Sequence, residues 1–291
     1  MQLPAGRVLR LTGLPQRSRI DEPTLRDLDR HARALRWRYR LKGFGYERAL
    51  ELPLIASFLR PRFGESLRYL DIGTGPSIFP SWLATQSRWD VTCLDKYEWV
   101  KKQERYLKKL GLSRERYRVV VRNFLEAELE PESFDIITNI SVIEHFDGDN
   151  DALAMAKSAR LLKPGGLYVI TAPLNEGHAR DWYVQRDVYG ERFRSEPVFY
   201  QRHYDTASFQ RRVVEPSGLR EIERTYFGDY AQAFFNDRIV EPAGLGKVTR
   251  VWAQMNFIEN ALRHGGYSDK PVSMPGMKIY TSAGVCAVLT K

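Results

Sequence analysis

Between residues 67 and 173 the chain alternates short apolar runs with helical stretches, and this rhythm limits the possible folds more than any other feature. Strands are expected at Leu67–Ile72, Trp89–Leu94, Tyr117–Arg122, Phe134–Asn139 and Leu167–Thr171. A helix should follow the first strand at once. Others are expected at Glu98–Leu110 and Asp149–Leu162, the latter ended by Lys163-Pro164-Gly165-Gly166. Strand and helix in regular alternation imply an α/β fold, a parallel sheet with helices on both faces.

The flanks follow other rules. Residues 21–42 read as a helix, with Asp21 as cap, Pro23 in the first turn, and Leu25, Leu28, Ala32, Leu35 and Trp37 helically spaced. Residues 46–60 read as a second helix, which Pro53 should kink or restart and Pro61 should end. After Pro173 the rhythm breaks. Residues 174–204 are polar and aromatic with few regular signals. Thr206–Val214 looks helical, Arg220–Phe227 is a sixth strand, a helix lies near 247–263, and Lys278–Thr290 is a final strand or hairpin. The expected organisation is an N-terminal helical extension or lid at 1–63. A domain at 64–291 follows, with insertions at about 174–213 and 229–277.

The first strand runs into Asp71-Ile72-Gly73-Thr74-Gly75. Glycines on a strand-to-helix turn let the backbone approach a ligand and take positive φ. A dinucleotide loop wants a third glycine at position 78, where this chain has Ile78. It also lacks the lysine of a phosphate-binding loop. An acid two residues before the first glycine repels phosphate and suits a cationic amino group. Asp95, followed by Lys96, ends the second strand 20 residues after Gly75. It can take two ribose hydroxyls, or it can cap the next helix. Asn123 and Phe124 end the third strand, where an amide can accept from an adenine amine and a ring can wall the base. The fourth strand runs out through Ile140 and Ser141 to Glu144 and His145.

On Leu70–Gly75, Asp95, Glu132–Asp135, Ser141–His145 and Leu161–Gly166, taken in order, the stretch 67–173 resembles the class I S-adenosylmethionine-dependent methyltransferases, in their small-molecule branch. The resemblance implies a Rossmann-like seven-stranded sheet of order 3-2-1-4-5-7-6 with strand 7 antiparallel. It implies S-adenosylmethionine as cofactor and S-adenosylhomocysteine as product. Asp71, Gly73 and Gly75 would line the methionine part, Asp95 would hold the ribose, Asn123 and Phe124 would face the adenine, and Thr74 and Lys96 would be further cofactor-binding residues. Ile140 and Ser141 would approach the sulfonium. Many relatives carry Asp where this chain has Asn123.

Methyl transfer to a hydroxyl calls for a base, and the candidates are His145 and His203. His145 can equally be structural. Trp182, Tyr183, Tyr200 and Tyr204 crowd the segment after the fifth strand, as an acceptor pocket or as the small core of an insertion. The five histidines have no ligand spacing and no paired acids follow the fourth strand, so no metal is expected. The expected acceptor is a small molecule or glycan-type metabolite, methylated on O or N.

Two other readings compete. The net charge is +9, of which residues 1–66 carry +7. A basic extension of this kind suits RNA or a protein substrate, or it is a solvated helix surface. Against a nucleic acid, the fourth strand ends Asn139-Ile140-Ser141-Val142 and lacks the paired prolines that stack a flipped adenine. The third reading is a non-catalytic protein that binds S-adenosylmethionine. Cys93 and Cys286 lie in apolar runs and are expected as reduced core residues. There is no apolar stretch of transmembrane length and no secretory signal, so a cytoplasmic location is expected. Oligomers through the insertions or N-terminal helices remain open.

Overall fold

A computed structural model of the chain describes residues 19–36, 46–175, 179–185, 196–229, 257–271 and 284–291. The helix α1 (Glu22–Leu35) starts where expected, because the Asp21 carboxylate accepts from the Thr24 amide at 3.3 Å and its hydroxyl at 2.7 Å. It stops at Leu35 rather than 42. Arg36 is extended, and Lys109 Nζ donates to the freed Leu35 carbonyl at 2.7 Å. Residues 37–42 of the expected helix lie outside the described residues. The second helix, α2 (Tyr46–Leu59), runs through Pro53 without a restart. Burial of Leu50, Leu52, Ile55 and Leu59 compensates for the backbone bond that proline forfeits.

The alternating core is as the sequence implies. It comprises β1 (Arg68–Ile72), α3 (Phe79–Gln86), β2 (Asp90–Asp95), α4 (Lys102–Leu110), β3 (Tyr117–Val121), β4 (Phe134–Ile140), α5 (Asn150–Leu161) and β5 (Leu162–Pro173). A 3-10 turn over Glu98–Lys101 replaces the first turn expected of α4. The fifth strand begins five residues early, and its Lys163–Gly166 portion is a register irregularity opposite β4 rather than a separate turn.

The segment after β5 holds an antiparallel hairpin, β6 (Arg180–Val184) with β7 (Val198–His203), where the sequence offered no regular element. Its strands read Arg180-Asp181-Trp182-Tyr183-Val184 and Val198-Phe199-Tyr200-Gln201-Arg202-His203, apolar and polar residues in blocks with no period-2 alternation to mark a strand. A helical stretch follows as α6 (Thr206–Phe209), a π-turn (Gln210–Val214) and α7 (Glu215–Ser217). Then come β8 (Arg220–Asp229), α8 (Phe257–His264), β9 (Gly265–Ser268) and β10 (Gly284–Thr290). Of the helix expected near 247–263, residues 247–256 fall outside the described residues, as does 278–283 of the final strand.

The sheet order is β3-β2-β1-β4-β5-β10-β8-β9. β10 is antiparallel to both β5 and β8, so the expected order 3-2-1-4-5-7-6 is present. The correction is an eighth strand, β9, antiparallel on the edge of β8. Gly265 and Gly266 hide it from propensity, because glycine disfavours strands.

Two buried clusters flank the sheet. One holds Leu25 and Leu28 of α1, Leu50 and Ile55 of α2, Trp82 of α3, and Cys93, Ile136 and Cys286 from the strands. The other holds Met155 of α5, Phe209, Val213, and Leu70, Ile137 and Val285 from the opposite strand face. Neighbours on one strand, such as Cys286 and Ala287, alternate between them, as period-2 side chains must. Both cysteines are free and buried. No helix among the described residues is long and apolar enough to cross a membrane.

Candidate active site

Strand order reverses between β1 and β4, and open α/β sheets bind ligands outside the carboxyl ends at that point. The 71–75 loop lies there. Gly73 and Gly75 both take positive φ, +71° and +51°. The two glycines answer different demands. A Cβ on Gly73 would come within 2.3 Å of Val142 Cγ1, so the space at that glycine is filled by the chain's own turn after β4. A Cβ on Gly75 would meet nothing closer than 3.7 Å, so there the backbone conformation is what requires glycine.

Asp95 ties β2 to this loop. Its Oδ2 accepts the Gly75 amide at 2.8 Å and its Oδ1 accepts the Tyr97 amide at 2.9 Å. A carboxylate has about four acceptor positions, one used on each oxygen by these bonds. Burial pushes its pKa above the ordinary value, opposed by the Tyr97 amide. Lys96 is exposed, its ammonium 4.8 Å from the centre of the Tyr97 ring.

Asp71 sits beneath the loop instead of on its surface. It is 2% exposed, and its Oδ1 accepts the Thr138 hydroxyl at 2.6 Å. Burial raises its pKa to about 6. Its carbonyl accepts the Thr74 hydroxyl at 2.9 Å, which closes the turn. The Asp71 carboxylate and the Thr74 hydroxyl, both expected to line a ligand, are engaged inside the protein.

At the end of β3, the Asn123 carbonyl and side chain are engaged locally. Asn123 Oδ1 accepts the Leu125 amide at 3.1 Å, and Nδ2 donates to Glu126 at 3.3 Å. Phe124 is buried in the second cluster with the Lys157 ammonium 5.3 Å from its ring centre. These two residues shape the turn from within.

The turn after β4 is the most connected part of the site. Ile140 is buried, and its carbonyl accepts from Arg48 at 3.2 Å. Ser141 is left-handed, φ +50°, a conformation uncommon outside glycine. Its amide donates to Thr171, and its hydroxyl donates to Glu51 at 2.9 Å. Sequence reasoning missed Glu51. An acid inside the apolar run Leu50-Glu51-Leu52-Pro53-Leu54 was the available signal, since buried acids need partners.

Glu144 and His145 complete that turn. Glu144 is 3% exposed, and burial pushes its carboxyl up to about 8, so it is mostly protonated at neutral pH. His145 Nδ1 stands 2.7 Å from the Tyr200 carbonyl of β7. A carbonyl only accepts, so Nδ1 carries the hydrogen and Nε2 bears the lone pair. Burial lowers the His145 pKa, with the charges of Arg48 and Lys96 adding to it against the Tyr200 carbonyl, so the ring is neutral at pH 7.

The β6–β7 hairpin is fastened to α5 by charge. Arg202 donates to Asp181 at 2.7 and 2.9 Å and to Asp151 at 2.7 Å, and Arg212 also binds the fully buried Asp151. Tyr204 is fully buried, with its hydroxyl donating to Asp151 at 3.0 Å. Its place is in this anchor, not in an open pocket. Trp182 is half-buried beside His203, at 5.4 Å between ring centres, and Tyr183 is exposed. Gln201 Nε2 donates to His203 Nε2 at 2.6 Å, which engages the lone pair a base would use. Of the two histidines, His145 lies in the β4 turn itself.

The arginines of the described N-terminal helices are paired with acids: Arg26 with Glu22, Arg30 with Asp27, Arg33 with Asp29, and Arg60 with Asp21. Among the described residues, no group of three His, Cys, Asp or Glu side chains is arranged to hold a metal ion.

A family model described as a methyltransferase domain matches residues 44–219. No curated protein sequence matches the chain. Among solved structures, a 1,6-didemethyltoxoflavin-N1-methyltransferase from Burkholderia thailandensis is similar over 96% of this chain and 93% of its own, with 14% identity and a TM-score of 0.51. A SAM-dependent methyltransferase from Methanosarcina mazei is similar over 80% of this chain and 96% of its own, with 12% identity and a TM-score of 0.52. At these identities the likeness concerns the fold.

Proposed function

The chain belongs to the methyltransferase-domain family, and on that premise we propose that it moves a methyl group from S-adenosylmethionine to an oxygen or nitrogen of a small-molecule or glycan-type acceptor. The observation that carries the cofactor reading is the Asp95 carboxylate, buried at the end of β2 and joined to the Gly75 amide where strand order reverses. Its remaining acceptor positions suit a vicinal diol such as a ribose. The glycine backbone at 73–75, the Asp95 carboxylate and the turn at Ile140–Ser141 are the groups that would hold the cofactor.

When bound, S-adenosylmethionine supplies an electrophilic methyl group on a sulfonium. The protein's task is then to align the acceptor, exclude water and, for a protic acceptor, take up a proton. Alignment alone contributes on the order of 7–11 kcal/mol to such a displacement. His145 is placed to accept the proton at Nε2, since the Tyr200 carbonyl fixes its tautomer and burial keeps it neutral. The hairpin that supplies that carbonyl also carries Trp182 and Tyr183, which we assign to the acceptor side. The Burkholderia protein holds bound 1,6-didemethyltoxoflavin and S-adenosylhomocysteine, which supports a small-molecule acceptor. The paired arginines of α1 lend no support to a nucleic-acid substrate.

The test is transfer of label from methyl-labelled S-adenosylmethionine into pools of hydroxylated, amine and carboxylate metabolites. Labelling of at least one pool, lost in the His145→Asn variant for a hydroxyl pool, is expected. Binding of the cofactor with all pools unlabelled would remove the enzymatic reading.

A further inference from the structure

The turn after β4 is built around a residue in an unfavourable conformation. Ser141 has a φ of +50°, where its Cβ crowds the backbone. Such a residue persists only where its surroundings over-determine it. Here the amide is held from β5: Ser141 N donates to the Thr171 carbonyl at 3.1 Å and lies 3.0 Å from Thr171 Oγ1. The side chain is held from α2, where Glu51 Oε2 accepts the Ser141 hydroxyl at 2.9 Å and the Thr171 hydroxyl at 2.8 Å. Glu51 Oε1 pairs with Arg48, whose guanidinium also donates to the Ile140 carbonyl at 3.2 Å. One carboxylate therefore joins α2, β4 and β5.

Glu51 is fully buried, and both of its oxygens are engaged. It is no ligand group. An apolar side chain of similar volume would fill the space at lower desolvation cost, so packing does not account for it. What the carboxylate adds is order at Ser141. The next residue, Val142, occupies the space left by Gly73 in the first loop, and Glu144 and His145 follow within the same turn. The setting of Ser141 thus sets the contact between the β1 loop and the β4 turn, and the position of the His145 ring.

We propose that Glu51 is a positioning residue for methyl transfer: it reaches from α2 to hold Ser141 in its left-handed conformation, and through Ser141 fixes the β4 turn against the cofactor loop. This role rests on the function proposed above.

The test uses the full chain and three variants, Glu51→Gln, Ser141→Gly and the double variant. Glutamine keeps the shape of Glu51 and gives up the charge that binds Arg48. Glycine takes a φ of +50° without being held. Hydrogen exchange of the peptide spanning 139–146 is followed without ligand, alongside calorimetry with S-adenosylhomocysteine and kcat. Glu51→Gln is expected to speed exchange in that peptide. It should also lower kcat on the order of 10- to 100-fold, the scale of a misplacement of about 1 Å. On the Ser141→Gly background, whatever that change itself does to kcat, adding Glu51→Gln should cost little further, because glycine removes the strain that Glu51 opposes. If Glu51→Gln lowers kcat as much on the Ser141→Gly background as in the wild type, or if exchange at 139–146 and kcat are both unchanged in Glu51→Gln, the role is overturned while the cofactor reading stands. A wild-type chain that binds no S-adenosylhomocysteine overturns the cofactor reading and this role together.

Discussion

The Gly75 amide and the Asp95 carboxylate meet at 2.8 Å, and that bond ties the loop after β1 to the end of β2. It makes the loop and the acid a single unit. A glycine in a left-handed conformation aims its N–H at a carboxylate that burial makes costly to leave unpaired. The same logic of close, mutually required contacts recurs around the site.

Gly73→Ala tests the contact between the two loops. The new Cβ would meet Val142 at 2.3 Å on a backbone with φ +71°. A loss of about 1–3 kcal/mol in unfolding free energy is expected from denaturant midpoints. Adding Val142→Ala should return part of it, by relieving the clash and not the φ. A Gly73→Ala protein with wild-type stability would contradict the geometry.

Asp151→Ala tests the anchor of the hairpin. It would leave Arg202 and Arg212 facing an empty buried site that now receives both guanidinium groups and the Tyr204 hydroxyl. Breaking a buried pair by removing one partner costs about 3–5 kcal/mol. Urea unfolding should show it, with faster proteolysis within the hairpin. A cost below about 1 kcal/mol would mean that the network is solvated.

Glu144 makes stability depend on pH. Its folded pKa is about 8 against an ordinary 4.5, so between those values the folded state binds more protons than the unfolded state. Stability from this group must therefore fall as pH rises through that window. Asp71 acts with the same sign, but only between 3.8 and about 6. Melting temperatures of wild type and Glu144→Gln, measured from pH 6 to 8, isolate Glu144. The wild type should lose stability across that range relative to the variant, and parallel curves would refute the assignment.

His145→Asn tests the proton acceptor. Burial lowers the His145 pKa, so kcat/KM for a hydroxyl acceptor should show an acid limb that lies at lower pH than an ordinary histidine would give. The variant should lose on the order of 10²-fold in kcat, together with that acid limb. Its affinity for S-adenosylhomocysteine should stay unchanged. Activity retained with the limb intact would make His145 structural.

The sheet was legible because each core strand from β1 to β5 carries its own apolar run, closed by a residue that ends it, as Asp95 ends β2. The hairpin and β9 were not, because their pairing is long-range and their local signals are weak. Gly265 and Gly266 speak against a strand until β8 supplies a partner. At the site, Asp95 and the glycines stand out at the ends of the first two strands in the sequence, and the structure brings Asp95 and Gly75 together. Phe124 and Tyr204 are buried, and an aromatic residue near a strand end looks the same in sequence whether it walls a ligand or fills a core. Glu51 was missed because its partners, Ser141 and Thr171, are 90 and 120 residues away.

Calorimetric titration of the purified chain with S-adenosylmethionine, beside Asp95→Ala and Asp95→Asn, tests the central claim most directly. One site per chain is expected for the wild type. Asp95→Ala should weaken binding on the order of 10- to 100-fold, the worth of about 1–3 kcal/mol for hydrogen bonds to a charged group. Asp95→Asn, which keeps one acceptor oxygen, should fall between them. A folded wild-type chain that binds no S-adenosylmethionine, or an Asp95→Ala protein that binds it as tightly as wild type, would contradict the assignment of this loop.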